Sequence, residues 1–160
     1  MKTNLEKLRP WVTTWMYGVA FVHFVVGLLL PWVVSLPIVE AYHVYVEQQF
    51  WGGNIPQEVR PLQQWWIALF GPTIAGMSVW MGTLVYFGAR YRSRLAWVSL
   101  IIGTLIWAPQ DIYISLQRDV WLHLYLDCFA LASMLPPLIW LWWHDSQYHQ
   151  RSVPSAKSAA

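Results

Sequence analysis

Four long apolar runs separated by polar breaks set the pattern of this chain. The first extends from Trp11 to about Val34 without a charged residue. At about 1.5 Å of rise per helical residue, such a run crosses the roughly 30 Å hydrocarbon core of a bilayer. The second covers about residues 64–88, the third 95–117 and the fourth 120–143. Backbone polar groups inside lipid must be satisfied within their own segment, so runs of this length predict transmembrane helices. The first run is too long for the core of a signal peptide, and no small-residue cleavage pattern follows it, so it reads as a retained span.

The breaks are informative in their own right. Residues 1–10 form a polar, basic leader. Residues 38–51 carry Glu40, His43 and Glu47 on one narrow arc at helical spacing, with Ile38, Val39, Tyr42, Tyr45 and Val46 covering much of the rest. This predicts an amphipathic helix lying on the bilayer surface, its acidic arc in water, opened by Pro37 and ended by Gly52-Gly53. A basic loop spans Arg90–Arg94, and a tight turn, Gln117-Arg118-Asp119, joins the last two spans. Residues 145–160 are polar, contain Pro and Ser, and read as a flexible tail. The expected fold is therefore all-α: a four-span antiparallel transmembrane bundle, residues 11–144, with one interfacial helix.

Small residues predict how the spans pack. Ala68, Gly71, Ala75, Ser78 and Gly82 recur at spacings of 3, 4, 3 and 4 down the second span. Ala96, Ser99 and Gly103 do the same on the third, on a stripe that extends to Ile106 and Gln110. Such stripes let helix backbones approach closely, so the second and third spans are expected to meet through them. The same faces offer a route to a homo-oligomer or to a partner in a larger membrane complex.

Composition sharpens this picture. Of 160 residues, 57% are hydrophobic and 11% charged, against about 25% charged in soluble domains. Thirteen Trp suit rings held at the edge of the hydrocarbon. Lys2, Lys7, Arg9, Arg90, Arg92, Arg94, Arg151 and Lys157 fall on one side of the expected topology, and only Arg60 and Arg118 on the other. That bias puts both termini in the cytoplasm, as in a multi-pass protein of a bacterial inner membrane. The 35–61 connection and the 117–119 turn then lie outside. The single Cys128 excludes an internal disulfide and a multi-thiolate metal site. No HExxH, P-loop, GxSxG or CxxCH sequence occurs, and nothing points to nucleic acid.

The chemistry concentrates between Trp107 and Asp127. Asp111 and Asp127 lie inside the third and fourth spans, where an ionisable group costs several kcal/mol and marks a functional site by default. In an antiparallel hairpin turning at Arg118–Asp119, Asp111 falls level with Asp127, and Ser115 with His123. His123 and Asp127, like Asp111 and Ser115, share a helix face at i and i+4. Two acids side by side in low dielectric require a proton or a cation, and His123 is placed to relay or hold that proton. Gln110 and Tyr113 are neighbouring polar candidates. His23, inside the first span on a stripe with Ala20 and Gly27, is a candidate relay. Asp111, His123 and Asp127 are also candidate metal ligands, completed by a second His. His23 and His123 differ by roughly 12 Å in depth, which argues against a shared b-type haem.

Three functions fit these residues. The first is an accessory or binding protein whose outer-leaflet pocket, capped by the 38–51 helix, takes an apolar or amphiphilic ligand such as a quinone or lipid. The second is a membrane oxidoreductase or metal-dependent enzyme using the same groups, so that a quinone, a haem or a metal ion stays open as cofactor. The third is a structural subunit of a larger membrane complex.

Overall fold

The computed structural model describes residues 4–152, with side chains described for 5–148. Helix α1 covers Asn4–Val33 and leads through a 3-10 turn, Pro37–Val39, into α2, Glu40–Trp51. Then follow α3 (Val59–Tyr91), α4 (Arg94–Leu116) and α5 (Trp121–Ser152), with no strand among the described residues. Leu5–Val33, Val59–Tyr91, Arg94–Leu116 and Trp121–Tyr148 are each long and apolar enough to cross a membrane. Phe21, Phe70, Trp80, Ile106 and Phe129 are exposed in the middle of these helices, as lipid-facing side chains are. The chain is a multi-pass membrane protein built as an antiparallel four-helix bundle with a short fifth helix.

The helices form two tight pairs, α1 with α3 and α4 with α5, joined through α3–α4 and α1–α5. The expectation that α3 and α4 meet through their small stripes is corrected here. The α3 stripe packs on α1: a Cβ on Gly27 would stand 2.5 Å from the Ala75 nitrogen and 2.7 Å from the Gly71 oxygen. A Cβ on Gly71 would meet the Pro31 ring at 2.6 Å. The α4 stripe has no such neighbour: Gly103 has nothing within 4 Å of its Cβ position, and Ile106 is exposed. A small-residue stripe specifies close approach, but not which helix approaches.

Two ends of the bundle differ in character. Toward the chain termini, Met16, Val85, Trp97, Leu100, Met134, Leu138 and Leu141 form one buried apolar core. Trp97 fills the space beside Gly88, where a Cβ would lie 2.4 Å from the indole ring. Ser93 caps α4 by accepting a hydrogen bond from the Ala96 amide at 3.3 Å. At the opposite end, where α2 lies, the interior is polar.

The helices also run further than the apolar runs imply. Residues 4–10 belong to α1, and α5 continues through Ser152 where a flexible tail was expected from residue 145. Asp145 and Ser146 are buried. The physical reason is charge pairing, described below; residues 153–160 of the expected tail lie outside the described residues.

Candidate functional site

Helix α2 organises the polar end. Gly52, at φ 61°, stops the helix, and its amide donates to the Gln48 carbonyl at 3.0 Å. The helix is turned the other way from the expectation of a wet acidic arc. His43 is 1% and Glu47 4% exposed, whereas Ile38, just before the helix, is 85% exposed. Arg60, in the first turn of α3, explains the inversion. Its Nε and Nη2 donate to the two oxygens of Glu47, the latter at 2.8 Å, and its Nη1 donates to Glu40 at 2.6 Å. A bidentate guanidinium–carboxylate pair satisfies both partners inside the fold. It holds the Glu47 carboxyl below the usual carboxylate range.

The other side of α2 fastens onto the α4–α5 hairpin. The Tyr45 hydroxyl donates to the Asp119 carbonyl at 3.1 Å and accepts from the Trp121 amide at 2.9 Å, satisfying the first turn of α5. Arg118 lies over the Phe50 ring at 5.2 Å. The Tyr42 hydroxyl and His123 Nε2 share a hydrogen bond of 2.8 Å, and their rings stack at 5.7 Å with 7° between planes. Helix α2 is thus a cap tied on one side to α3 and on the other to α4–α5.

Beneath that cap lie the acids. Asp127 is 7% exposed, and its Oδ2 has no hydrogen-bond partner within the protein. Asp111 and His123, each partly exposed, lie within electrostatic reach of Asp127, and Asp111 also of Tyr42. Burial first, and then the Asp111 charge, push the Tyr42 phenol above its ordinary pKa, so it keeps its proton at neutral pH. His43 adds a second unpartnered atom. Its Nε2 lies 2.7 Å from the Val34 carbonyl, which can only accept, so Nε2 carries the proton. The other ring nitrogen, Nδ1, is buried without a partner. Gln63, one turn beyond Arg60, leaves both amide atoms buried and unpaired. All the unpartnered buried side-chain atoms among the described residues belong to His43, Gln63 and Asp127, at this one end.

The remaining sequence candidates stand apart from this set or are already satisfied. Ser115 is buried. Gln110 is exposed and its amide donates to the Ile106 carbonyl of its own helix at 2.6 Å. Tyr113 is exposed on the lipid side. His23 Nδ1 bonds the Val19 carbonyl of its own helix at 2.8 Å, so that nitrogen serves the backbone. Among the described residues no group of three or more His, Cys, Asp and Glu is arranged to hold a metal ion, so Asp111, His123 and Asp127 do not form the ligand set considered for a metal-dependent enzyme.

A second charged cluster, at the terminal end, escaped the sequence reading. Asp145 is fully buried, and four helices converge on it. Arg9 of α1 grips it with Nε on Oδ1 at 2.8 Å and Nη2 on Oδ2 at 2.9 Å. Arg92, after α3, donates to Oδ1 at 3.2 Å, and the Trp97 indole of α4 donates to Oδ2 at 2.9 Å. His144 Nδ1 lies 3.2 Å from Oδ1, its ring stacked on Trp140. Glu6 accepts from Arg92 at 2.9 Å. The signal was present: a lone acid just past an apolar run, with Arg9 and Arg92 bordering the same end. This cluster is satisfied throughout and acts as a clamp.

Two shallow apolar grooves, of about 440 and 400 Å³, lie toward the same terminal half, one lined by Leu135, Ile139 and Trp143, the other by Trp11, Trp15 and Pro137. Neither includes the acids. No family model matches the chain, and no curated protein and no solved structure is similar to it.

Proposed function

We propose that this protein binds an apolar or amphiphilic ligand, such as a quinone or lipid, at the polar end of the bundle, with α2 as the cap. It acts there as an accessory or binding protein. Asp127 and His123 contact the polar head, Asp111 sets the local charge, and Tyr42 orients His123. The single observation that carries this reading is the unpartnered Asp127 oxygen, buried inside a span and beside a second acid. A stranded carboxylate oxygen costs stability, and a ligand that satisfies it recovers that cost. The excess of Lys and Arg toward the terminal end supports an orientation with this end on the outer face of a bacterial inner membrane and both termini inside.

The test is the lipid and quinone content of the protein purified from its membrane, read by mass spectrometry. Wild-type protein is expected to carry a ligand in near-stoichiometric amount, and the Asp111→Asn/Asp127→Asn double variant to lose it. Equal ligand content in the two proteins would remove the proposal.

A further inference from the structure

We propose that the head this site takes is a protonated amine: the ligand is a cationic amphiphile, held by an ammonium–carboxylate contact to Asp127 with Asp111 as the second negative charge. The inference rests on the binding reading above and names its ligand class.

It follows from the inventory of donors and acceptors under the cap. In its ionised form the Asp127 carboxylate only accepts hydrogen bonds, and its Oδ2 has no donor within the protein. Neither cation at this end reaches it. Arg60 is consumed by Glu47 and Glu40, and Arg118 lies over Phe50. The nearby His123 has its Nε2 engaged by Tyr42. His43 Nδ1 and the Gln63 amide are also buried without partners, so neither reaches Asp127. What Asp127 lacks is therefore a donor, and of the proton or cation that two neighbouring acids require, a cationic head brings donor and charge together.

The alternatives fit less well. A quinone brings carbonyl oxygens, which also accept, and leaves Oδ2 stranded. An alcohol brings one donor but no charge. A bare metal ion lacks a ligand set here. An alkylammonium brings three donors and a full charge, and it stays protonated at neutral pH, with a pKa near the ~10.4 of a Lys side chain. Asp111 and His123 are partly exposed, so the head has a way in from that side. Leu126, Tyr113 and Tyr125 are exposed on the same hairpin, where an alkyl tail remains in hydrocarbon.

The experiment uses the full chain in phosphatidylcholine nanodiscs, titrated with dodecylamine, 1-dodecanol and a short-chain ubiquinone analogue, and followed by tryptophan fluorescence. Empty nanodiscs give the partitioning background. Dodecylamine is expected to bind saturably, at least about tenfold tighter than dodecanol, as a charge-assisted contact requires. Asp127→Asn is expected to erase that preference and Asp111→Asn to reduce it, with thermal unfolding confirming that both variants are folded. Equal binding of amine and alcohol, or an amine preference that survives Asp127→Asn, overturns the inference. If the quinone analogue binds in an Asp127-dependent way and the amine does not, the amine is wrong while the binding site stands. If no probe binds above background, both fail.

Discussion

Asp145 and Asp127 are two buried acids on one helix, and their substitution by Asn is expected to have opposite effects on stability. Asp145 accepts from both guanidiniums and from the Trp97 indole, at 2.8 to 3.2 Å, and is wholly buried. Asn in its place keeps one accepting oxygen and turns an amide donor toward groups that only donate. It leaves Arg9, whose side chain is 12% exposed, without its counter-ion. Removing one partner from a buried pair costs about 3–5 kcal/mol. At roughly 2–4 °C per kcal/mol for a chain of this length, Asp145→Asn should lower the unfolding midpoint by about 6–20 °C. Asp127→Asn removes a charge from a site that does not satisfy it, so in ligand-free protein it is expected to be neutral or stabilising, within about 1 kcal/mol. The assay is thermal unfolding in one detergent, followed by tryptophan emission, in which the buried Trp97 reports on the terminal end. A double-mutant cycle of Asp145→Asn with Arg9→Gln should show coupling, because the second change removes the cation that the first strands. An Asp145→Asn midpoint within 3 °C of wild type, or an Asp127→Asn variant less stable than Asp145→Asn, would refute the reasoning.

Three further outcomes are expected. Gly27→Ala and Gly71→Ala push α1 and α3 apart, because the new Cβ meets backbone or a proline ring below 3 Å. Each should cost about 1–3 kcal/mol, while Gly103→Ala, with open space around it, should be neutral or slightly stabilising in the same unfolding assay. The Glu47 carboxyl is depressed by Arg60, so its contribution is full above the ordinary Glu pKa and fades as pH falls through the lower, folded value. Protection factors in α2, taken relative to the intrinsic exchange rate at each pH, should therefore fall on acidification below the usual carboxylate range, and Glu47→Gln should flatten that dependence. Tyr42→Phe keeps the stacked ring but loses the 2.8 Å bond to His123. It should weaken ligand retention severalfold while shifting the unfolding midpoint little, since the net worth of one such bond is about 1 kcal/mol.

The spans were legible because length and apolarity alone decide what crosses a bilayer. The antiparallel pairing of α4 with α5 followed from the short turn after Leu116, since a tight hairpin keeps the two helices together. The orientation of α2 was not legible. An arc of Glu40, His43 and Glu47 suits water and suits the interior equally well once a counter-ion waits there. Arg60, on a different helix, made the choice. Pairing of α1 with α3 was hidden for a similar reason: Ala75 and Gly71 announce a close neighbour, but only Gly27 and Pro31 on α1 complete the fit. Asp145 was overlooked because hydropathy falls at His144 whether the chain leaves the bundle or stays to meet two arginines. Gln110 and Tyr113 are exposed on the same stretch of α4 as Gly103 and Ile106, away from the interior.

The clamp at Asp145 also orders the making of this protein. Arg9 and Asp145 stand 136 positions apart in the chain. The first guanidinium is thus synthesised long before the acid that neutralises it, whereas Arg92 has Glu6 of α1 as an earlier partner. Until α5 emerges, Arg9 must stay in the headgroup layer, where water and lipid phosphates hold it. Arrival of α5 draws it inward, so the emergence of α5 and closure of the bundle become one event. A nascent chain stopped before α5 is left with the Arg9 charge unneutralised at that end.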